Sequence, residues 1–256
     1  MNSIENIIGK TDPPRNERCE DHGEFVSRNI IFNVWSRCPV CESEREAAAA
    51  IVAEERARVE KQQRWLAAIG RSGIPERFMD RSLDSFVATT PEQTAALAFA
   101  TEYAASFAES AKSGRSAIFV GKPGTGKTHL AAGIGMSVMK SGYSALFTTV
   151  IRAVRRVKDT WGSGGDETES EAVAALVRPD LLILDEVGVQ FGSDTEKMIL
   201  FDVLNERYEC RKPCIMLSNL QVSEVADYLG ERIIDRVRED GGKVIRFVWD
   251  SHRRAQ

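Results

Sequence analysis

The chain has 256 residues, of which 43% are hydrophobic and 28% charged, and a formal net charge of −4. That length supports one large core with a small accessory module, or one large domain. The charge balance excludes a polycation that holds nucleic acid by bulk charge, so any such contact must rest on local basic patches.

The opening segment, MNSIENIIGKTDPPRNER, lacks the basic cap and apolar core of a secretory signal, and no apolar run in the chain approaches the roughly 18–20 residues of a membrane span. The expected location is cytoplasmic, where thiols stay reduced. Residues 1–18 are polar, contain Pro13-Pro14 and read as a flexible arm. Residues 19–41 hold three of the five cysteines and one of the three histidines. Cys19-x2-His22 and Cys38-x2-Cys41 are two short-spaced ligand pairs, the pattern of a closed Cys₃His zinc site. With no open ligand position, the zinc is expected to be structural and to fold a segment too short for its own core. The rival readings are four unrelated side chains, or a redox pair at Cys38-Pro-Val-Cys41, which lacks a strand–helix context. Cys210 and Cys214 have no further ligands nearby and read as ordinary, partly buried cysteines.

Residues 42–70 follow as a linker or docking helix. ESEREAAAAIVAEERARVEKQQRWLAAI, at 42–69, is rich in Ala, Glu and Arg and free of Gly and Pro. Its apolar residues recur only thinly, as Val52, Val59 and Leu66, which suits partner docking better than a core. Gly70 and the Arg71-Ser72-Gly73 that follow mark the stop.

From about residue 71 to 256 the pattern is that of a single α/β domain. AIFV at 117–120, YSALFTT at 143–149, LLILDE at 181–186, CIMLSN at 214–219 and KVIRFVW at 243–249 are apolar runs of strand length separated by helical stretches. Near-continuous apolar strands between helices predict a parallel sheet covered on both faces. WGSGGDETES at 161–170 predicts a flexible loop.

Gly121-Lys122-Pro123-Gly124-Thr125-Gly126-Lys127-Thr128, with His129 next along, fits G-x-x-x-x-G-K-[ST] and sits between a predicted strand and a predicted helix. Such a loop wraps phosphates with backbone N–H groups at a helix N-terminus. Lys127 is expected to reach the β- and γ-phosphates of a nucleotide, and the Thr128 hydroxyl to ligate Mg²⁺. Asp185-Glu186 ends the third apolar strand, where ligands bind in open α/β sheets. Asp185 is expected to hold Mg²⁺ through water, and Glu186 to polarise the attacking water, which favours ATP hydrolysis. Asn219, ending the next strand, reads either as a turn residue or as a group that senses the γ-phosphate or the water.

SGIPERFMDRSLDSF at 72–86, GKPGTGKTHLAAGIG at 121–135, LLILDEVGVQ at 181–190, LFDVLNERYECRKPCIMLSNL at 200–220 and GERIIDRVRE at 230–239 occur in one order. Together they resemble the AAA+ ATPases of the DnaC-type helicase-loader family, and most are shared with the related IstB-type transposition helpers. The closing WDSHRR is similar to the DnaC side. The resemblance covers roughly residues 70–256 and implies a core of five parallel strands flanked by helices, without a sizeable C-terminal lid. It implies ATP and Mg²⁺ as ligands and a spiral assembly in which a neighbour supplies an arginine. By motif position that finger is Arg236, assisted by Arg232; the alternative is a surface pair bonded to Glu231 or Asp235.

The resemblance also places residues 150–158 near the inner side of a spiral. Arg152, Arg155 and Arg156 share a helix face there, as contacts for single-stranded DNA or as a solvated basic face. Trp161 beside them reads as a base-stacking or a packing residue. A hexameric replicative helicase of DnaB type is the implied partner, with docking assigned to the N-terminal module by position. The alternatives are an IstB-like helper on duplex DNA and an adaptor with an idle nucleotide site.

Overall fold

A computed structural model of the chain describes residues 13–31, 34–162, 167–188 and 193–251. Residues 1–12 of the expected arm, 163–166 of the expected loop, Val189-Gln190 and the tail from His252 lie outside the described residues. The chain divides into two units, Met1–Arg64 and Trp65–Gln256.

In the first unit, β1 (Arg15–Cys19) and β2 (Gly23–Ser27) pair antiparallel, with Cys19 opposite Gly23. The strand therefore starts inside the stretch read as an arm. A second small ribbon joins β3 (Asn29–Ile31) to β4 (Val34–Trp35). The fully buried Ser27 ties the two ribbons together, its hydroxyl donating to the Ser36 carbonyl at 2.7 Å. Arg15 stacks over the Trp35 ring at 4.0 Å. These strands bury few apolar side chains, so little but local bonding holds them in the polypeptide alone.

Helix α1 runs from Pro39 to Arg71, beginning three residues before the predicted start. Proline fits its first position because that N–H has no intrahelical partner. It ends within the predicted stop: Gly70 is still helical, and the chain turns at Gly73 (φ +68), where a Cβ would collide with the Phe147 carbonyl oxygen. Val52 is exposed, and the side chains of Val59 and Leu66 lie outside those described.

The second unit contains α2 (Pro91–Ala105), α3 (Phe107–Ser113), β5 (Ala117–Gly121), α4 (Lys127–Lys140), β6 (Ala145–Thr149) and α5 (Val150–Asp159). There follow α6 (Glu169–Val177), β7 (Leu181–Asp185), α7 (Asp194–Glu209), β8 (Cys214–Ser218), α8 (Val222–Leu229), α9 (Glu231–Arg238) and β9 (Lys243–Phe247). The sheet is parallel throughout in the order β6-β7-β8-β5-β9, as the apolar runs predict.

Side-chain alternation splits the core into two layers. Phe119, Ile183, Leu217 and Phe247 pack with α2 and α4, whereas Ile118, Leu184 and Met216 pack with α5, α6, α7 and α9. Each such fully buried side chain contributes about 1.5–3 kcal/mol.

One charged side chain belongs to this framework. Arg207 of α7 is 1% exposed and donates to the carbonyls of Leu176, Val177, Pro179, Asp180 and Pro213, at the end of α6 and just before β7 and β8. Desolvation pulls its pKa down to about 10, which leaves it charged at neutral pH.

Candidate nucleotide site and cysteine cluster

The phosphate loop leaves the carboxyl end of β5 and enters α4 through two glycines that only a left-handed backbone satisfies, Gly124 (φ +79) and Gly126 (φ +96). Neighbours leave no room for larger residues. A Cβ on Gly121 would collide with the Phe247 carbonyl oxygen, and one on Gly126 would meet the Phe86 ring at 2.6 Å. Lys127, 6% exposed, curls over the loop and donates from Nζ to the carbonyls of Gly121 (2.6 Å) and Lys122 (2.9 Å). The Thr125 hydroxyl donates to Lys122 O at 2.9 Å.

The fold brings the second half of the site to the first. Thr128 Oγ1 donates to Asp185 Oδ2 at 3.2 Å. Desolvation raises the Asp185 pKa, against the opposing pull of the Glu186 N–H, Thr128 and Lys127. Glu186 donates its N–H to Asp185 Oδ1 at 2.8 Å and holds φ +63, a conformation that costs a non-glycine residue energy and is typical of functional positions. Its side chain is exposed. The two hard oxygen donors of Thr128 and Asp185, beside a lysine and an anion-binding helix start, suit Mg²⁺ with a nucleotide.

Asn219 is exposed just beyond β8. His129 turns away from the loop: its Nε2 donates to Ser82 O at 2.9 Å and its ring packs edge-on against Phe86. Burial holds its pKa below the usual imidazole value. On α9, Arg232 is exposed, while Arg236 donates to Asn205 Oδ1 and stacks over Tyr208 at 4.2 Å. Neither bonds to Glu231 or Asp235; it is Arg238 that lies beside Asp235, at 3.6 Å.

On α5 the valines face inward and the arginines outward. Arg156 is paired to Glu167 at 2.6 Å, Arg152 is exposed, and Arg155 lines a cavity of about 310 Å³ together with Lys158, Glu186, Glu196 and Tyr228. Trp161 is exposed, and its indole donates to Glu169 at 2.8 Å. Cys214 is buried as read from the sequence, but Cys210 is exposed, because it caps the solvent end of α7.

Among features the motifs do not reveal, Trp249 donates from Nε1 to Thr125 O at 2.9 Å, and Phe247 and Phe86 wall the loop. The aromatic residues at 86, 247 and 249 are plain in the sequence, but nothing local assigns them to a loop so far along the chain.

In the first unit, one ligand atom from each of Cys19, His22, Cys38 and Cys41 lies within 4.8 Å of the others. Cys19 Sγ is 3.5 Å from Cys41 Sγ and 3.8 Å from His22 Nδ1, and the latter is 3.3 Å from Cys41 Sγ. A tetrahedral zinc ion, with bonds of about 2.3 Å to sulfur and 2.0–2.1 Å to nitrogen, sets its ligands about 3.5–3.8 Å apart, so the donor set fits. The Asp21 and His22 backbone N–H groups pull the Cys19 thiol down, while the Cys19 sulfur pushes the Cys41 thiol beside it up, so the pair shares one proton without a metal. Glu44, one turn along α1 from Cys41, faces His22 Nε2 at 3.4 Å.

The profile of the IstB-like ATP binding protein family matches residues 45–254, leaving the cysteine cluster outside the match. The chain is 37% identical over 212 residues to the replicative helicase loader DnaC of Buchnera aphidicola subsp. Acyrthosiphon pisum, covering 83% of each protein. With the replicative helicase loader DnaC of Escherichia coli K12 it shares 35% over 212 residues, 83% of this chain and 84% of that one. The crystal structure of the DnaC helicase loader superposes with a TM-score of 0.60 at 23% identity, over 67% of this chain and 99% of that one. Among the described residues, no helix is long and apolar enough to cross a membrane.

Proposed function

The chain belongs to the IstB-like ATP-binding, DnaC-type AAA+ family, and from that premise we propose that it is an ATP-hydrolysing loader of a hexameric replicative helicase onto single-stranded DNA. The observation that carries this reading is the Thr128–Asp185 contact beside Lys127 and Glu186, in a chain alike to loaders over most of its length.

ATP docks with its phosphates against the backbone N–H groups of residues 124–128. Lys127 exchanges its two loop carbonyls for β- and γ-phosphate oxygens. Thr128 and Asp185 would hold Mg²⁺, which would supply neutralisation of phosphate charge. Glu186 polarises the attacking water, and Asn219 hydrogen-bonds the water or the γ-phosphate. Arg236 of a neighbouring copy, assisted by Arg232, completes the site in a spiral, so nucleotide state and assembly are linked.

Arg152, Arg155 and Arg156 contact the DNA backbone. Zinc, held by Cys19, His22, Cys38 and Cys41, fixes the first unit, which with α1 docks the helicase. Native mass spectrometry with a cognate helicase, with and without ATP, tests this. A complex lost on removing residues 1–70 supports the loader.

The IstB-like family match favours one second reading, a transposition helper on duplex DNA. ATP-dependent filaments on duplex, with no helicase complex, would replace the loader by it.

A further inference from the structure

Trp249 lies two residues beyond β9, 8% exposed, and donates its indole N–H to Thr125 O across 124 residues of chain. Its ring packs on Phe247 with centroids 4.8 Å apart, and Phe247 packs on Phe119 of β5 at 5.3 Å. The indole is thus anchored to the strand that launches the phosphate loop.

The bond fixes more than a carbonyl. A trans peptide points its C=O and its N–H in opposite directions. With Thr125 O pinned outward on the indole, the next N–H, that of Gly126, is aimed to the other side, where a phosphate oxygen is received. Gly126 has φ +96 and Phe86 closes the space beside it, so the peptide is held on both flanks. Thr125 is fully buried, so without the indole its carbonyl has no water to turn to.

We propose that Trp249 is a positioning residue of the nucleotide site, orienting the Thr125–Gly126 peptide so that the Gly126 N–H is presented to phosphate. The inference rests on the nucleotide reading of the loop.

The test is titration of the full chain with ADP and Mg²⁺, comparing wild type with Trp249→Phe and with 3-benzothienylalanine at position 249, which keeps the bicyclic shape and removes the N–H. Loss of one buried hydrogen bond at the binding surface corresponds to roughly a tenfold rise in Kd. Both replacements should show it. ATP turnover should show a matching rise in KM with kcat within about twofold, since Glu186 and Asp185 are untouched. The benzothienyl chain should still unfold cooperatively, at a temperature lowered by only a few degrees, as one unpaired buried carbonyl requires. Wild-type affinity in the benzothienyl chain would overturn the proposal, and so would an affinity loss confined to Trp249→Phe, which would reflect ring packing alone. A wild-type chain that binds no nucleotide would overturn the underlying reading instead.

Discussion

Thr128 and Asp185 stand 57 residues apart in the chain and 3.2 Å apart in space, hydroxyl to carboxylate. The first opens the helix after β5 and the second closes β7, with β8 between them, so the contact depends on those three strands lying side by side.

Separating binding from hydrolysis is the first consequence. Lys127→Ala should abolish both tight nucleotide binding and turnover. Glu186→Gln should lower kcat by about 10²–10⁴ and leave binding within a few-fold, because only the water-polarising carboxylate is removed. Equilibrium titration and phosphate release check both. Equal binding loss in the two variants would exclude Glu186 as the group that polarises the attacking water.

Arg236 is engaged with Asn205 and Tyr208 within its own chain, so acting on a neighbour's nucleotide means exchanging those contacts. Mixing Lys127→Ala with Arg236→Ala chains should restore part of the turnover that each lacks alone, because an intact site then meets an intact arginine. The same mixture made with Arg232→Ala should show the smaller initial defect. Turnover in the mixtures is the measurement, and no restoration argues against a finger in trans.

Of the three α5 arginines only Arg156 is ion-paired among the described residues, to Glu167. Arg152→Ala with Arg155→Ala should weaken single-strand binding and reduce the slope of log K against log salt by about 1.4, roughly 0.7 per phosphate contact. Arg156→Ala should do less. Fluorescence anisotropy with oligo-dT at several salt concentrations decides it.

One zinc ion per chain is expected by elemental analysis. Chelation or Cys41→Ser should melt the ribbons of residues 15–35 while the second unit keeps its own unfolding transition. Glu44→Ala should loosen the ion by about 10–100-fold, as loss of a carboxylate that orients a histidine ligand does. Competition with a chromophoric chelator reads this out.

Burial keeps the His129 pKa below its unfolded value of about 6.5. Between those two values the unfolded chain binds more protons than the folded one. Stability from this group is therefore complete above about pH 6.5 and falls as pH drops through the folded value. Urea unfolding at pH 7.5 and 5.5 should show the loss in the wild type and a smaller pH response in His129→Gln.

Much of this architecture is legible in the sequence because its signals are local. The buried strands are short apolar runs bounded by polar residues, and the phosphate loop and the cysteine pairs are fixed spacings within a few residues. What the sequence conceals is bonding between remote segments. Trp249 to Thr125, His129 to Ser82 and Arg236 to Asn205 leave no periodicity and no spacing rule. The ribbon from Arg15 to Ser27 is hidden for another reason: it has neither the alternation nor the apolar content of a strand, and reads as polar arm and ligand loop. The helix stop at Gly70-Arg71-Ser72-Gly73 is legible too, and the structure adds that the second glycine, with its positive φ, makes the turn.

Arg207 gathers five carbonyls at the edge of the sheet where β7 and β8 begin, opposite the edge that carries Thr128, Asp185 and Glu186. β7 and β8 are thereby clamped at their bases by a buried cation, whereas Glu186 and Asn219, just beyond their tips, are exposed. Amide exchange along β7 should grow faster from Leu181 toward Asp185, a gradient of local opening within five residues. One rim of the sheet is thus set to open locally well before the other.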